Sequence, residues 1–315
     1  MSVINRLLPW RSMKAQGILG MNQRNGDYIA AYNKRSFYPL VDDKVKTKHL
    51  AEAAGVAVPK LYAIVEIERQ ISSVSKQLEQ YNDFVVKPSH GSGGEGILVI
   101  VGRAMNGYRK SNGQIMTEQE LSYHISNILS GMYSLGGLPD KALIEQRVVF
   151  DPIFEAVSYQ GVPDVRTIVF RGVPVMAMIR LPTRMSDGKA NLHQGAIGVG
   201  IDLKTGKTFS GVWHEHIIEN HPDTGASILD LQIPEWDTIL KLTAHCYDLV
   251  GLGYIGVDII LDRDHGPLML EMNARPGLSI QIANRCGLLK SLEKVKAMKD
   301  VPASIDERIA LSKTL

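Results

Sequence analysis

The chain has 315 residues and a mass of 34.7 kDa, with 44% hydrophobic and 22% charged residues. This length predicts two domains or one large domain with lobes, and the composition excludes a disordered or collagen-like protein. The net charge of +2 excludes the strongly basic field of many nucleic-acid-binding proteins. Positive charge is nevertheless concentrated at the start, since residues 1–49 contain nine Lys or Arg and three Asp.

The sequence contains no sign of a membrane-spanning or secreted protein. No stretch approaches the ~18 consecutive apolar residues that a membrane span needs. Basic residues and Pro9 interrupt the N-terminus, which therefore lacks the apolar core of a signal peptide. Cys246 and Cys286 are too few for a disulfide framework and suit a reducing compartment. We expect a cytoplasmic protein that binds neither nucleic acid nor membranes.

The first half of the chain predicts helices and short strands. Residues 1–40 have poor periodicity, and a helix then follows Asp42 or Asp43, either of which can cap it. Thr117 and Glu120 have the spacing of a capping box. The predicted elements are a helix over Asp42–Ala54, a strand over 61–67, a polar helix near Ser72–Tyr81, a hairpin over 84–102 and a helix over Thr117–Ser130.

The second half predicts more strands, several of them joined by tight turns such as Arg171-Gly172. Because short strands mix with helices and hairpin turns, we predict an α+β fold rather than a doubly wound parallel sheet. The predicted elements are strands over 142–148, Val165–Phe170, Val173–Leu181, 195–203, 207–213, Tyr254–Leu261 and Leu268–Asn273, and helices over Pro234–Leu249 and about 278–298.

A glycine-rich loop, Ser89–Gly96, directly follows the strand that contains Lys87. Glycines tolerate positive φ and allow close approach of the backbone, so successive N–H groups can cradle phosphate oxygens. Lys87 would add a positive charge to such a cradle. A flexible hairpin turn has the same composition, and no Walker sequence occurs anywhere in the chain.

Acidic residues interrupt two neighbouring apolar strands near the C-terminal end. Asp258 lies in YIGVDIIL, and Glu271 and Asn273 lie in LMLEMN. Residues two apart on a strand face the same side, so Glu271 and Asn273 can point at one ion. With Asp258 they would form an all-oxygen site suited to Mg²⁺. A buried ion pair is the alternative, because an acid inside an apolar strand is costly without a partner.

Basic residues accompany these acids. Arg166 and Arg180 fall on the two strands of one predicted hairpin, and Arg275 follows the acidic pair. Positive charge beside carboxylates fits a phosphate-transfer centre, and ordinary salt bridges are the alternative. The basic N-terminus either borders an acceptor site, with Arg24 and Tyr28 as candidates, or forms a solvated arm.

Taken in order, these motifs resemble the ATP-grasp superfamily, in particular the RimK-type glutamate ligases and the alpha-L-glutamate ligase-like proteins. The resemblance covers about residues 42–285. Asp43-Lys44 resembles the first ATP-binding lysine, and Phe84–Lys87 with its loop resembles the second lysine and its phosphate flap. Further matching segments are the adenine-holding hinge at 143–148, the segments 164–166 and 191–195, and the metal-binding end at 256–259 and 270–277.

The resemblance implies a site residue by residue. Asp151 and Glu155 are both candidates for the ribose-binding acid. The implied ATP contacts are Lys44, Lys87, Ser89, Gly91, Gly93, Gly94, Glu145, Gln146, Val148, Asp151, Arg166 and Asn191, the metal ligands are Asp258, Glu271 and Asn273, and the catalytic arginines are Arg180 and Arg275.

The resemblance also implies an α+β ATP-grasp fold, with two lobes that hold ATP between them. Only 43 residues precede Lys44, so we expect a truncated N-terminal domain. The implied divisions are a short segment with the first-lysine helix at 1–58, a smaller lobe at 59–145, a large lobe with the metal site at 146–300 and a C-terminal tail at 301–315.

The implied activity is ATP-dependent ligation of a carboxylate to an amine through an acyl phosphate, with Mg²⁺ or Mn²⁺. Glutamate or another amino acid would be added to a peptide or small-molecule acceptor. A kinase that phosphorylates a hydroxyl and a non-catalytic nucleotide-binding protein are the alternatives. A homo-oligomer is also compatible with the sequence.

Overall fold

The computed structural model describes residues 13–91, 93–134 and 136–315. Arg6 and Arg11 of the basic N-terminus, and Ser92 of the glycine-rich loop, lie outside the described residues. Within the described ranges, no helix has the length and apolarity needed to cross a membrane. A cytoplasmic location stays a prediction.

Within the described residues the chain forms two antiparallel sheets with helices, which confirms the predicted α+β class. In chain order the elements are α1 (Met21–Gln23), a π-helix (Arg24–Ala30), a 3-10 helix (Arg35–Phe37), α2 (Pro39–Asp42), α3 (Lys44–Ala53), β1 (Leu61–Val65), a 3-10 helix (Glu68–Ser73), α4 (Val74–Gln77), β2 (Phe84–Pro88), β3 (Leu98–Ala104), β4 (Gly107–Lys110), β5 (Ile115–Met116), α5 (Glu118–Leu129), β6 (Ala142–Glu145), a 3-10 helix (Pro152–Val157), β7 (Asp164–Phe170), β8 (Val173–Leu181), a 3-10 helix (Leu192–Gln194), β9 (Ile197–Ile201), β10 (Thr208–Trp213), β11 (His216–Ile218), α6 (Trp236–Val250), β12 (Tyr254–Asp262), β13 (Gly266–Asn273), α7 (Ile280–Ala283), α8 (Leu289–Lys296) and α9 (Ile305–Ser312).

The smaller of two compact units comprises residues 43–49 and 58–148. Its six strands have the order β1-β6-β2-β3-β4-β5. Helix α5 begins at the predicted capping box, since Thr117 accepts from the Glu120 N–H and Glu120 reaches back to Thr117. Leu121, Ile125 and Ile128 recur at helical spacing and are fully buried in the core of this unit.

The larger unit comprises the described residues up to 42 and residues 50–57 and 149–315. Its seven strands have the order β11-β10-β9-β8-β7-β12-β13. The predicted hairpin turn joins β7 to β8, with positive φ at Arg171 and Gly172. The four predicted domain divisions stay a prediction, and the compact units divide the chain at 42/43, 49/50, 57/58 and 148/149.

Among the segments that differ from the sequence prediction are three helical ones. Residues 21–30 are helical, and the π-helix over Arg24–Ala30 has no 3.6-residue period that sequence reasoning could detect. The polar helix expected near 72–81 is a 3-10 helix followed by the single turn of α4. The tail at 301–315 contains α9, capped by Ser304 and packed on α6 and β8.

Candidate functional site

Two buried lysines share one carboxylate in the smaller unit. Lys87 in β2 and Glu145 in β6 lie on one sheet face through the antiparallel pairing of these strands. Lys87 Nζ lies 2.5 Å from Glu145 Oε1, whereas Lys48 Nζ contacts Glu145 Oε2 and donates to the Pro59 carbonyl at 2.5 Å. The three charged side chains are at most 7% exposed. This lysine cluster (Lys48, Lys87 and Glu145) therefore has one positive charge in excess.

Burial disfavours the charge on Glu145, but Lys87 and Lys48 outweigh burial and lower the pKa of its carboxyl. Glu145 is therefore ionised at neutral pH and holds both ammonium groups. The sequence prediction did not include Lys48. The available signal was its spacing, because Lys44 and Lys48 are four residues apart in one helix and share a helix face.

Lys44 forms hydrogen bonds with the glycine-rich loop. Its Nζ donates to the Gly91 carbonyl at 2.7 Å and to the Ser89 carbonyl at 3.4 Å. The Ser89 hydroxyl donates to Asp43 Oδ1 at 3.0 Å, and this bond helps to lower the pKa of Asp43 against the opposing effect of burial. The structure thus brings three sequence-predicted residues, Lys44, Ser89 and Gly91, into direct contact.

The loop has the backbone freedom that the sequence predicted. Gly93 and Gly94 have φ values of +66° and +80°, a conformation that favours glycine. A Cβ on Gly91 would lie 2.2 Å from Pro88 Cγ, so a side chain at this position would displace the loop. A glycine-rich loop of this kind allows the backbone to approach an anion closely.

The predicted hinge follows β6. The Gln146 N–H donates to the Lys60 carbonyl at 2.8 Å, and the Lys60 N–H donates to Gln146 Oε1 at 3.3 Å. Val148 is buried. The Glu145 carboxylate binds the two lysines, so an adenine contact in this segment would come from its backbone.

In the larger unit, four neighbouring strands place charged residues on one sheet face. The register sets Asp164 opposite Arg180, Arg166 opposite Asp258, and Asp258 opposite Glu271. Arg166 binds Asp258 through Nε and Nη2, and Arg180 binds Asp164 in the same way. Arg180 Nη2 also donates to Asp258 Oδ2 at 2.8 Å. We call Asp164, Arg166, Arg180 and Asp258 the arginine–carboxylate cluster; its two forks fix all four side chains.

The pKa values of the two acids of this cluster are shifted in opposite directions. Burial favours the neutral form of Asp258, but Arg166 and Arg180 outweigh it and lower its pKa to about 2. Burial, reinforced by the Asp258 charge, raises the pKa of Asp164 to about 6 even though Arg180 opposes the shift. Burial also disfavours the charge on Arg180, but the two acids outweigh it and raise the pKa of the guanidinium.

Glu271 and Asn273 extend the cluster toward solvent on β13. The Glu271 side chain is 34% exposed, lies 4.0 Å from Arg166 Nη2 and accepts from Asn273 Nδ2 at 3.3 Å. The β12–β13 register shifts after the Asp258–Glu271 pair, and such a bulge commonly re-aims side chains near a site. Opposite Asn273, a Cβ on Gly256 would lie 2.7 Å from Pro276 Cβ, so glycine leaves room for this proline.

These residues fit a hard divalent cation that is also held by substrate oxygens. A carboxylate has about four lone-pair sites, and the two arginines use three on Asp258. Glu271 and Asn273 offer further oxygens on one side of the strand. Among the residues that the structure describes, no group of three or more His, Cys, Asp or Glu is suited to a metal. Mg²⁺ commonly binds through one or two carboxylates and completes its shell with water and phosphate.

The remaining predicted site residues make local contacts. Arg275 is exposed, with its guanidinium 5.0 Å from the centre of the Tyr38 ring. Asp151 accepts from the Ile153 N–H at the start of a 3-10 helix, and Asn191 accepts in the same way from the His193 N–H. Their predicted roles toward a ligand stay predictions.

The N-terminal segment forms hydrogen bonds with β12 and with the residues that follow β13, the strand that contains Glu271. Arg24 donates to the Pro276 carbonyl at 2.9 Å, and Asn33 Nδ2 donates to the Tyr254 and Ala274 carbonyls at 2.7 and 3.1 Å. Tyr28 is fully buried, and its hydroxyl donates to Glu293 at 2.6 Å. The suggestion that Tyr28 borders an acceptor site is therefore wrong, because its ring belongs to the core of the unit.

The profile of a family described as Sugar-transfer associated ATP-grasp matches residues 23–297. This match confirms the expected ATP-grasp fold. It does not distinguish the RimK-type ligases within the superfamily. No curated protein matches the sequence.

Several solved structures resemble the fold. The ATP-grasp ligase PsnB complexed with minimal precursor is 16% identical, with 89% of this chain and 64% of PsnB covered and a TM-score of 0.45. D-alanine–D-alanine ligase from Bacillus anthracis complexed with ATP is 12% identical, with 90% and 70% covered and a TM-score of 0.47. The biotin carboxylase domain of 2-oxoglutarate carboxylase from Hydrogenobacter thermophilus is 16% identical, with 87% and 49% covered and a TM-score of 0.48. This chain thus spans slightly less than two thirds of the length of PsnB.

Proposed function

The chain belongs to the sugar-transfer associated ATP-grasp family, and from this premise we propose that it is an ATP-dependent carboxylate–amine ligase. The nucleotide would phosphorylate a substrate carboxylate, and an amine would then displace the phosphate to form an amide. An amino acid or a peptide would supply one of the two reacting groups.

The main support is the opposite charge imbalance of the two clusters. The lysine cluster has one positive charge in excess beside a loop suited to anions. The arginine–carboxylate cluster is balanced by itself, and Glu271 gives it one negative charge in excess. The phosphates of a nucleotide would supply the anion that the first imbalance favours, and a divalent cation would satisfy the second.

Each set of residues would have a distinct task. Lys44, Lys87 and the N–H groups of the glycine-rich loop would hold phosphate oxygens, and the backbone at Gln146 and Val148 would hold the base. Glu271 and Asn273, with the remaining lone pair of Asp258, would hold Mg²⁺, which neutralises phosphate charge when it is bound. Arg180 and Arg275 would stabilise the charge that develops during phosphoryl transfer.

The proposed chemistry needs little from the protein beyond positioning and charge. A carboxylate is already ionised at neutral pH, because its reference pKa is about 4. It can therefore attack the terminal phosphorus without a base, whereas a hydroxyl would need one. The finer resemblance to RimK-type ligases makes glutamate the first substrate to test.

Hydroxylamine provides the test, because it intercepts an acyl phosphate without the natural amine. The full chain would be incubated with ATP, Mg²⁺, hydroxylamine and a panel of carboxylates. The panel contains glutamate, other amino acids, peptides and, because the family is associated with sugar transfer, uronic acids. A second panel replaces hydroxylamine with glutamate, glucosamine or ammonium.

A hydroxamate formed together with ADP and phosphate would support the ligase proposal. Glu271→Gln, which alters one partly exposed carboxylate, should abolish most of this product, whereas Glu215→Gln, at an exposed position in the turn before β11, should leave it unchanged. A stable phosphate ester without hydroxamate would instead indicate a kinase. A thermal melt unaffected by Mg-ATP would overturn nucleotide binding altogether.

A further inference from the structure

A histidine of the glycine-rich loop is paired with a buried aspartate that the sequence analysis did not single out. His90 lies between Ser89 and Gly91, and Asp140 lies just before β6 in the same unit. His90 Nδ1 lies 2.7 Å from Asp140 Oδ1, and the His90 N–H donates to Asp140 Oδ2 at 2.9 Å. Asp140 thus holds both the backbone and the ring of His90.

Asp140 is fixed by further bonds. Its carboxylate accepts from the Lys141 N–H at 2.8 Å and from the Ser134 hydroxyl at 3.0 Å. Its side chain is 0% exposed, whereas the His90 side chain is 43% exposed. A rigid, buried acid therefore orients a ring whose other edge reaches solvent.

The pairing determines which nitrogen of His90 is available for chemistry. An ionised carboxylate only accepts hydrogen bonds, so Nδ1 carries the proton that it donates to Asp140. In the neutral ring Nε2 is then the acceptor. Among the residues that the structure describes, Nε2 has no hydrogen-bond partner. A carboxylate behind the ring fixes its orientation and leaves Nε2 facing outward.

The charged groups around the ring are compatible with this exchange. Asp140 and Asp43 bring negative charge to it, from the segment before β6 and from the start of α3. Lys44 brings positive charge, since its Nζ donates to the Gly91 carbonyl next to His90. His90 is thus part of the loop that would hold the phosphates.

We propose that His90 is the general base of the amide-forming step, with Asp140 as its positioning residue; this role rests on the proposed ligase function. The uncharged amine attacks the carbonyl carbon of the acyl phosphate and forms the C–N bond. The C–O bond to phosphate breaks, and phosphate leaves with the bonding electron pair. One proton passes from the amine nitrogen to His90 Nε2 and then to solvent.

The location of His90 favours a role in amide formation over a role in the first step, the phosphorylation of the carboxylate. The carbonyl under attack carries the transferred phosphoryl group, so a side chain on the phosphate-holding loop borders it. The attacking carboxylate of the first step has no proton to lose. Only the amine needs a proton acceptor, and a positioned base contributes about 10²–10⁴-fold to such a step.

The test compares His90→Asn with His124→Asn in the full chain. Asparagine at position 90 keeps a donor in the place of Nδ1, so it can still bind Asp140, and it removes Nε2. His124 is a matched control, because it contacts the same loop through the Gly96 carbonyl at 3.0 Å and has no carboxylate partner among the described residues. His90→Gln serves as the second variant if His90→Asn fails to fold.

Two rates are measured from pH 5.5 to 9 with the best carboxylate of the panel. One is hydroxamate formation with hydroxylamine, a strong nucleophile that is unprotonated at neutral pH. The other is amide formation with the best amine among glutamate, glucosamine and ammonium. We expect His90→Asn to slow amide formation about 10²–10⁴-fold at pH 7. Hydroxamate formation should change less than about tenfold, and His124→Asn should resemble the wild type in both rates.

Equal losses of both rates in His90→Asn would overturn the proposal and make His90 a phosphate contact or a structural residue. An unchanged rate of amide formation, or the same losses in His124→Asn, would also overturn it. If the wild-type protein forms no hydroxamate with any carboxylate, the ligase function fails, and the role of His90 fails with it.

Discussion

The lysine cluster and the arginine–carboxylate cluster are both buried ion-pair networks, yet they differ in how tightly their charges are held. Arg166 and Arg180 each bind a carboxylate through two nitrogens, which fixes the orientation of both partners. Lys48 and Lys87 are single-point donors that share one carboxylate. A lysine can turn from Glu145 to a phosphate oxygen, whereas the arginine forks form a rigid frame.

This difference suggests a division of labour within the proposed reaction. The rigid frame holds Asp258 and sets the position of Glu271 beside it. The lysine cluster has two ammonium groups and one carboxylate, and we propose that its excess positive charge binds an anion. Buried ion pairs often contribute little net stability compared with apolar residues of similar shape. We therefore propose that both clusters serve ligand binding, and the following predictions test the contrast between them.

The largest effect on stability is expected for Glu145→Ala. This change leaves two buried ammonium groups without their shared carboxylate, which costs about 3–5 kcal/mol of unfolding free energy. Urea unfolding at pH 7 measures the loss. Adding Lys48→Met should restore part of the stability, because it removes one of the stranded charges. A loss below about 1 kcal/mol would show that the lysines reach water and that the cluster is not held as described.

The next largest effect is expected for Glu271→Gln, and it should appear in turnover alone. The side chain is partly exposed, so its neutralisation should leave the unfolding free energy nearly unchanged. Loss of one preorganised electrostatic contact typically lowers the rate about 10²–10³-fold. ADP release as a function of Mg²⁺ concentration measures this effect. Asp258→Asn is the matched change inside the rigid frame and should lower both turnover and stability, so equal behaviour of the two variants would contradict the division of labour.

A smaller effect distinguishes the two lysines of one cluster. Mg-ATP at a hundredfold excess over its Kd should stabilise the protein by about 2.7 kcal/mol. Lys87→Met should weaken nucleotide binding about tenfold and so reduce this gain by about 1.4 kcal/mol. Lys48→Met should retain more of the gain, because Lys48 is also bound to the Pro59 carbonyl. Thermal melts with and without Mg-ATP provide the measurement, and equal losses would mean that the cluster acts through its total charge.

The sequence predicted best those features that depend on neighbouring residues. The capping box at Thr117 and the turn at Arg171-Gly172 are local, and both occur as expected. The helical segment at 21–30 was missed, because its π-helical period matches no standard pattern and its stability comes from the burial of Tyr28 and Ile29. Tertiary packing decides such segments, and one sequence does not contain that information.

The same division applies to the candidate site. Glu271 and Asn273 lie on the same face of their strand, which could be predicted because side chains alternate between the two faces. The pairing of Asp258 with Arg166 depends on the order and register of β7 and β12, which are distant in sequence. The sequence therefore left an ion pair and a metal ligand as open alternatives for Asp258, and the structure shows the ion pair. His90 and Asp140 are likewise 50 residues apart.

The last prediction concerns the two acids of the arginine–carboxylate cluster. The pKa of Asp164 is raised to about 6 in the folded protein, whereas an unfolded aspartate has a pKa of about 3.9. Between these values the native state binds more protons than the unfolded state, so the contribution of Asp164 to stability is fully present below about pH 4 and is lost as pH rises through about 6. Asp258, with its pKa lowered to about 2, contributes stability that is present above about pH 4 and is lost as pH falls through about 2.

Asp164→Asn should therefore remove a downward slope in the unfolding free energy between pH 4 and 6, and this slope is at most ~1.4 kcal/mol per pH unit because one proton is involved. Urea unfolding at half-unit pH intervals measures it against the wild type. Asp202→Asn, in an exposed turn of the same unit, controls for the loss of one carboxyl group. Parallel curves for the wild type and Asp164→Asn would mean that Asp164 is ionised throughout this range. The frame would then be held by two fully ionised pairs, and its rigidity would not depend on pH above 4.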